Sequence, residues 1–142
     1  MTLTKKSEGI YTDDSKIQIL NEIDAVIFDC DGVLIDITKS YDLAIIKTTR
    51  YVLENLAKID DSIDVDFKII DGFKSTGGFN DEVDLTYAAI ISLVAAKKLE
   101  KDPTYFIFDV IKNSDSSGII SVEKYIENQI DISDIKKQLS YP

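Results

Sequence analysis

The sequence predicts an α/β protein, mostly α by residue count, with one short buried strand near the front and a long helical region behind it. Two observations carry this. Ala25-Val26-Ile27-Phe28 is a continuous apolar run rich in β-branched residues, the pattern of a strand covered on both faces. From Ser40 onward, apolar residues recur at three- and four-residue spacing between capping residues, the pattern of packed helices. The chain is therefore divided into 1–38, an N-terminal segment with the first core strand and the loop after it, and 39–142, a helical region.

Taken in order, Met1 to Gly9 is polar and basic and reads as a frayed end. Asp13 and Asp14 suit the cap of a short helix over Ser15 to Asn21, and the strand follows at Asp24 to Phe28. Tyr41, Ile45, Thr48, Val52 and Leu56, widened by Ile46 and Leu53, predict an amphipathic helix from Ser40 to Ala57. Ile63, Val65, Phe67 and Ile69 alternate as in a strand, yet they also permit a helix from Asp66 to Lys74. Asn80 suits an N-cap, and the acidic Asp81, Glu82 and Asp84 suit the positive end of a helix running to Glu100. That helix carries two apolar stripes, one with Val83, Tyr87, Ile90 and Val94 and one with Leu85, Ala89, Leu93 and Ala96, which places it at the centre of its bundle. Asp102-Pro103 opens a helix to Lys112, although the run Tyr105-Phe106-Ile107-Phe108 alone would also suit a strand. A polar turn over Asn113 to Gly118 leads to a helix over Ile119 to Asn128, and a short one spans Ser133 to Leu139.

The strand ends in Asp29-Cys30-Asp31-Gly32. The carboxyl end of a strand is where open α/β sheets hold ligands, and residues two apart in an extended segment face the same side. Asp29 and Asp31 can then share one pocket, with Cys30 turned away into the core. Gly32 lets the backbone turn and brings main-chain N–H groups toward an anion, so Asp31 and Gly32 are the candidate phosphate-binding positions. Such a pair suits phosphoryl transfer. One carboxylate attacks to give an aspartyl-phosphate, and the other protonates the leaving oxygen and then activates water. Two carboxylates repel a phosphate, so a divalent cation is required, and all-oxygen ligands select Mg2+. The plainer alternative is a strand followed by an Asp-Gly turn with solvated aspartates.

Phe28-Asp29-Cys30-Asp31-Gly32-Val33-Leu34-Ile35-Asp36 resembles the first motif of haloacid dehalogenase (HAD) superfamily phosphatases of subfamily I. The resemblance implies Asp29 as nucleophile, Asp31 as general acid/base, and Mg2+ held by the Asp29 side chain and the Asp31 main-chain carbonyl. Phe73-Lys74-Ser75-Thr76-Gly77-Gly78-Phe79-Asn80-Asp81 with Asp84-Leu85-Thr86-Tyr87-Ala88 is similar to the helical cap of archaeal, phosphoglycolate-phosphatase-like members. It is this resemblance that selects the helix for Asp66 to Lys74. The implied architecture is an incomplete HAD-type Rossmann-like core, represented by its first strand, with an α-helical cap. The family also needs a Ser or Thr ending a second strand, a later Lys, and a late acidic pair. None of these is found here, so the chain reads as the front part of such a phosphatase. Lys74, Thr76 and Asn80 lie where a cap could face substrate, although a Gly-Gly turn explains them as structural residues.

Composition narrows the partners. The formal net charge is -10 and histidine is absent, which argues against nucleic acid or an anionic membrane and removes His-based triads and His-ligated zinc. Cys30 is the only cysteine, so there is no disulfide framework. No apolar run reaches membrane-spanning length and Met1 to Asp14 lacks the apolar core of a signal peptide, so a cytoplasmic location is expected. The expected partners are a small phosphorylated substrate and a second chain, or another copy of this one, that completes the core. A rival reading is calcium binding, because Asn113 to Lys124 resembles an EF-hand loop with Gly118 at the turn. Its last position is Lys124 instead of glutamate, and Glu123 sits one residue early, rotated about 100° around a helix.

Overall fold

The computed structural model describes residues 3–61 and 63–139. It is mostly helical with a small antiparallel sheet, and it divides into two compact units, Met1–Asp36 and Ile37–Pro142.

The first unit opens on a hairpin where the sequence reads as a frayed end. Strand β1 (Thr4–Ser7) pairs antiparallel with β2 (Ile10–Thr12), placing Lys5 opposite Tyr11 and Ser7 opposite Ile10. The two-residue connection is closed by Gly9 at φ +75°, a conformation that glycine adopts without the Cβ penalty. A 3₁₀ helix follows over Asp14–Glu22, close to the expected span, and Asp13 caps it by accepting from the Ser15 N–H at 3.1 Å. Every residue from Asp14 to Asp36 is exposed.

The expected buried strand at Asp24 to Phe28 is not formed. These residues are irregular, with Val26 67%, Ile27 96% and Phe28 62% exposed. Among the described residues their main-chain groups take no hydrogen-bond partner. The reason is physical: a strand is stable only in a ladder, and the hairpin is the only sheet among the described residues. The first core strand of the expected fold class is therefore absent as a strand. Cys30 is likewise exposed instead of turned into a core.

The second unit is a helical bundle: α1 (Thr38–Asn55), α2 (Phe67–Ser75), α3 (Glu82–Lys98), α4 (Pro103–Lys112), α5 (Ile119–Glu127) and α6 (Ser133–Leu139). Side-chain caps start α2, α3 and α4. Asp66 accepts from the Ile69 N–H at 3.0 Å, Asp81 from the Val83 N–H at 2.7 Å, and Asp102 from the Tyr105 N–H at 2.9 Å. The cap of α3 is thus Asp81, one residue past the expected Asn80. Asp66 also resolves the ambiguous 63–69 stretch, because the helix begins directly after it and buries Ile69, Ile70 and Phe73.

Helix α3 is the axis of the bundle, packed by α1, α2, α4, α5 and α6, and every residue from Ala88 to Ala96 is buried. Two apolar stripes require this, with one exception: Val83, in the first turn, is exposed. On α1 the buried positions are Asp42, Ile45, Thr49 and Leu53, a stripe rotated by about one residue from the expected one. Thr48, Tyr51, Val52 and Leu56 instead line an open apolar groove between α1 and α3 of about 500 Å³.

The α2–α3 and α4–α5 connections meet backbone to backbone. A Cβ on Gly78 would lie 2.5 Å from the Asp115 carbonyl oxygen and 2.5 Å from the Gly118 nitrogen. Tyr87 on α3 donates to Glu123 on α5 at 2.9 Å, and Lys136 on α6 donates to the same carboxylate at 2.7 Å. Burial, and then the Glu123 carboxylate, push the Tyr87 hydroxyl well above the ordinary tyrosine pKa of 10.0. The folded form therefore resists losing that proton more than the unfolded form does. Its contribution is full below pH 10.0 and is lost as pH rises beyond it. Urea unfolding from pH 8 to 11 is expected to show this loss, and Tyr87→Phe to flatten it.

Candidate functional site

The candidate site is the loop from Asp29 to Asp36. It is a closed turn in which the Cys30 carbonyl accepts from both the Leu34 and Ile35 N–H groups, at 3.0 and 2.9 Å. Gly32 sits at φ +75°, which permits the reversal, and its N–H donates back to the Ile35 carbonyl at 2.9 Å. Asp31 and Ile35 are joined by an isolated bridge. Asp29 folds onto its own chain, its Oδ1 accepting from the Cys30 N–H at 2.7 Å.

Asp29, Asp31 and Gly32 thus lie together on one exposed turn. Two of the main-chain N–H groups that would face an anion, those of Cys30 and Gly32, are satisfied inside that turn. The donors are the oxygens that Mg2+ selects, yet two carboxylates of one loop do not enclose an ion. Among the described residues no group of three or more Asp, Glu, His or Cys could hold a metal. The residues present do not by themselves fit a Mg2+ site.

The other candidates are engaged in structure. Lys74 pairs with Asp42 at 3.2 Å, tying α2 to α1, and the Asp42 side chain is only 4% exposed. The Thr76 hydroxyl donates to the Phe73 carbonyl at 2.8 Å, closing the end of α2. Asn80 is exposed in the loop before the Asp81 cap. In the EF-hand-like loop, Asp115 accepts from the N–H and hydroxyl of Ser117 at 2.8 and 2.5 Å, and the Ser117 hydroxyl holds its carboxyl below the usual range. Glu123 faces Tyr87 and Lys136 instead of that loop.

Among the described residues Asp42 is the buried charged group that periodicity hid, since it occupies a core position of an apolar stripe. Removing its cation leaves a desolvated carboxylate. Because Lys74 is partly exposed, Lys74→Met is expected to cost about 1–2 kcal/mol, less than for a fully buried pair. The double variant Asp42→Leu/Lys74→Met should recover most of that loss in urea unfolding.

Among the described residues no helix is long and apolar enough to cross a membrane. Comparison with known proteins gives no match to any family model, curated protein or solved structure.

Proposed function

We propose that this chain carries the nucleophile of a HAD-type phosphomonoester hydrolase that acts once the remaining core motifs complete it. In this reading Asp29 attacks the phosphorus, the phosphate–oxygen bond to the leaving group breaks, and an aspartyl-phosphate forms. Asp31 donates the proton to the leaving oxygen and then takes one from the water that hydrolyses the intermediate. Asp29 and Asp31 would hold Mg2+ only together with ligands of the completing core, and the ion would then supply the positive charge such a site needs. The helical unit serves as the cap, the substrate is a small phosphorylated molecule, and the reaction belongs to the cytoplasm.

The observation that carries the reading is the Asp29-Cys30-Asp31-Gly32 turn at the end of an apolar run that has no sheet around it. A second reading, association without chemistry, is favoured by the local satisfaction of the Cys30 and Gly32 N–H groups. Fragment complementation separates the two. The chain is mixed with a HAD-type phosphatase core lacking its own first strand, nucleophile loop and cap. Mg2+-dependent hydrolysis of p-nitrophenyl phosphate is expected from the mixture and not from either piece. A co-eluting mixture without turnover leaves the association reading alone standing.

A further inference from the structure

We infer that residues Asp24 to Asp29 dock, as an added strand, onto the open sheet edge of a different protein whose edge carries basic side chains. This deepens the association reading above and rests on it. Three observations meet in this segment. Val26, Ile27 and Phe28 are side chains of high strand preference, and all three are exposed. The main-chain groups of Asp24 to Phe28 take no hydrogen-bond partner among the described residues, so a ladder can form on them without breaking anything first. The third observation is charge. Between Ile17 and Thr38 stand Glu22, Asp24, Asp29, Asp31 and Asp36, with no lysine or arginine.

Charge also selects the occupant. In a symmetric antiparallel pair of two copies, Val26 meets Ile27, Ala25 meets Phe28 and Asp24 meets Asp29. In a parallel pair in register, each aspartate meets its own copy. In both of these registers like charges stand opposite, which destabilises the pair, and in every register a net charge of -10 on each chain adds repulsion between two copies. Acidic residues flanking a strand-forming run are the means by which proteins block self-pairing at an edge. A partner with lysine or arginine opposite Asp24 and Asp29 turns the same repulsion into attraction.

The test uses the full chain and two versions of a soluble β-sheet protein with one open edge strand. One version has Lys at both ends of the pairing site and the other has Glu. The chain is expected to bind the Lys-ended edge at least tenfold more tightly, with at least tenfold slower amide exchange at Ala25 to Phe28. Ile27→Pro, which removes a ladder N–H, should abolish both effects. Asp24→Asn/Asp29→Asn should lose the preference between the two edges and drive self-association in sedimentation. Equal binding to both edges, protection outside these residues, or wild-type self-association through them overturns the inference. Turnover in the complementation assay is read separately. Its absence beside Lys-edge binding removes the catalytic reading only, and its presence without Lys-edge binding removes this one only.

Discussion

Gly78→Ala is expected to lower the melting temperature of this protein by roughly 10–20 °C, corresponding to about 3 kcal/mol of overpacking in a bundle of this size. The added methyl meets three main-chain atoms: the Asp115 carbonyl oxygen at 2.5 Å, the Gly118 nitrogen at 2.5 Å and the Gly118 Cα at 2.7 Å. None of these is the end of a flexible side chain, so a whole connection must shift. Gly118→Ala meets the reciprocal obstacle, with the Gly78 carbonyl oxygen at 2.5 Å and a φ of +62° besides. Gly77, next door, is the control. It has φ +79° but open space around its Cβ position, so Gly77→Ala costs only the backbone penalty of about 1 kcal/mol. Thermal unfolding followed by far-ultraviolet circular dichroism checks both. Equal shifts for Gly77→Ala and Gly78→Ala would show that the two connections do not touch as described.

The second large effect belongs to the acidic turn. In the complemented protein, Asp29→Asn is expected to reduce p-nitrophenyl phosphate turnover by about 10³-fold or more, because no other group takes over as nucleophile. Asp31→Asn should cost about 10²–10⁴-fold in the steady state but act at a different step. The p-nitrophenolate leaving group departs without help from an acid, so the first step survives and the aspartyl-phosphate accumulates. Rapid mixing should therefore show a burst near one equivalent of p-nitrophenolate with Asp31→Asn and none with Asp29→Asn. A burst from both would remove Asp29 from the nucleophile's role.

Most of the helical unit was legible in the sequence because its signals are local. Asp102-Pro103 starts α4 and Ser133 starts α6 where the residues say, whereas the residues of the 63–69 stretch allow strand and helix alike, and only the family resemblance selects the helix that Asp66 caps. The small differences have local causes too. Asp81 outcompetes Asn80 for the α3 cap by reaching the Val83 N–H, and the α1 stripe rotates because one flank of that helix lines an open groove. The strand at Asp24 to Phe28 failed for a reason no window of sequence displays. Its stability depends on neighbouring strands, and apolar content alone does not supply a ladder. The hairpin at Thr4–Thr12 was missed in the opposite sense, since Lys5 and Lys6 masked a short local pairing closed by Gly9. Of the site, the residue types and their spacing were readable. The engagement of the Cys30 and Gly32 N–H groups within the turn was not, because it depends on where the Ile35 carbonyl falls.

The central claim is that Asp29 becomes a phosphoryl acceptor once the run before it is held in a sheet. The most direct measurement is fluorine-19 NMR of the complemented protein with Mg2+ and beryllium fluoride, a mimic of a phosphoryl group on a carboxylate. The account predicts a protein-bound beryllofluoride resonance that requires Mg2+ and disappears with Asp29→Asn. A resonance that persists unchanged in Asp29→Asn, or none at all from a complex that co-elutes, would contradict it.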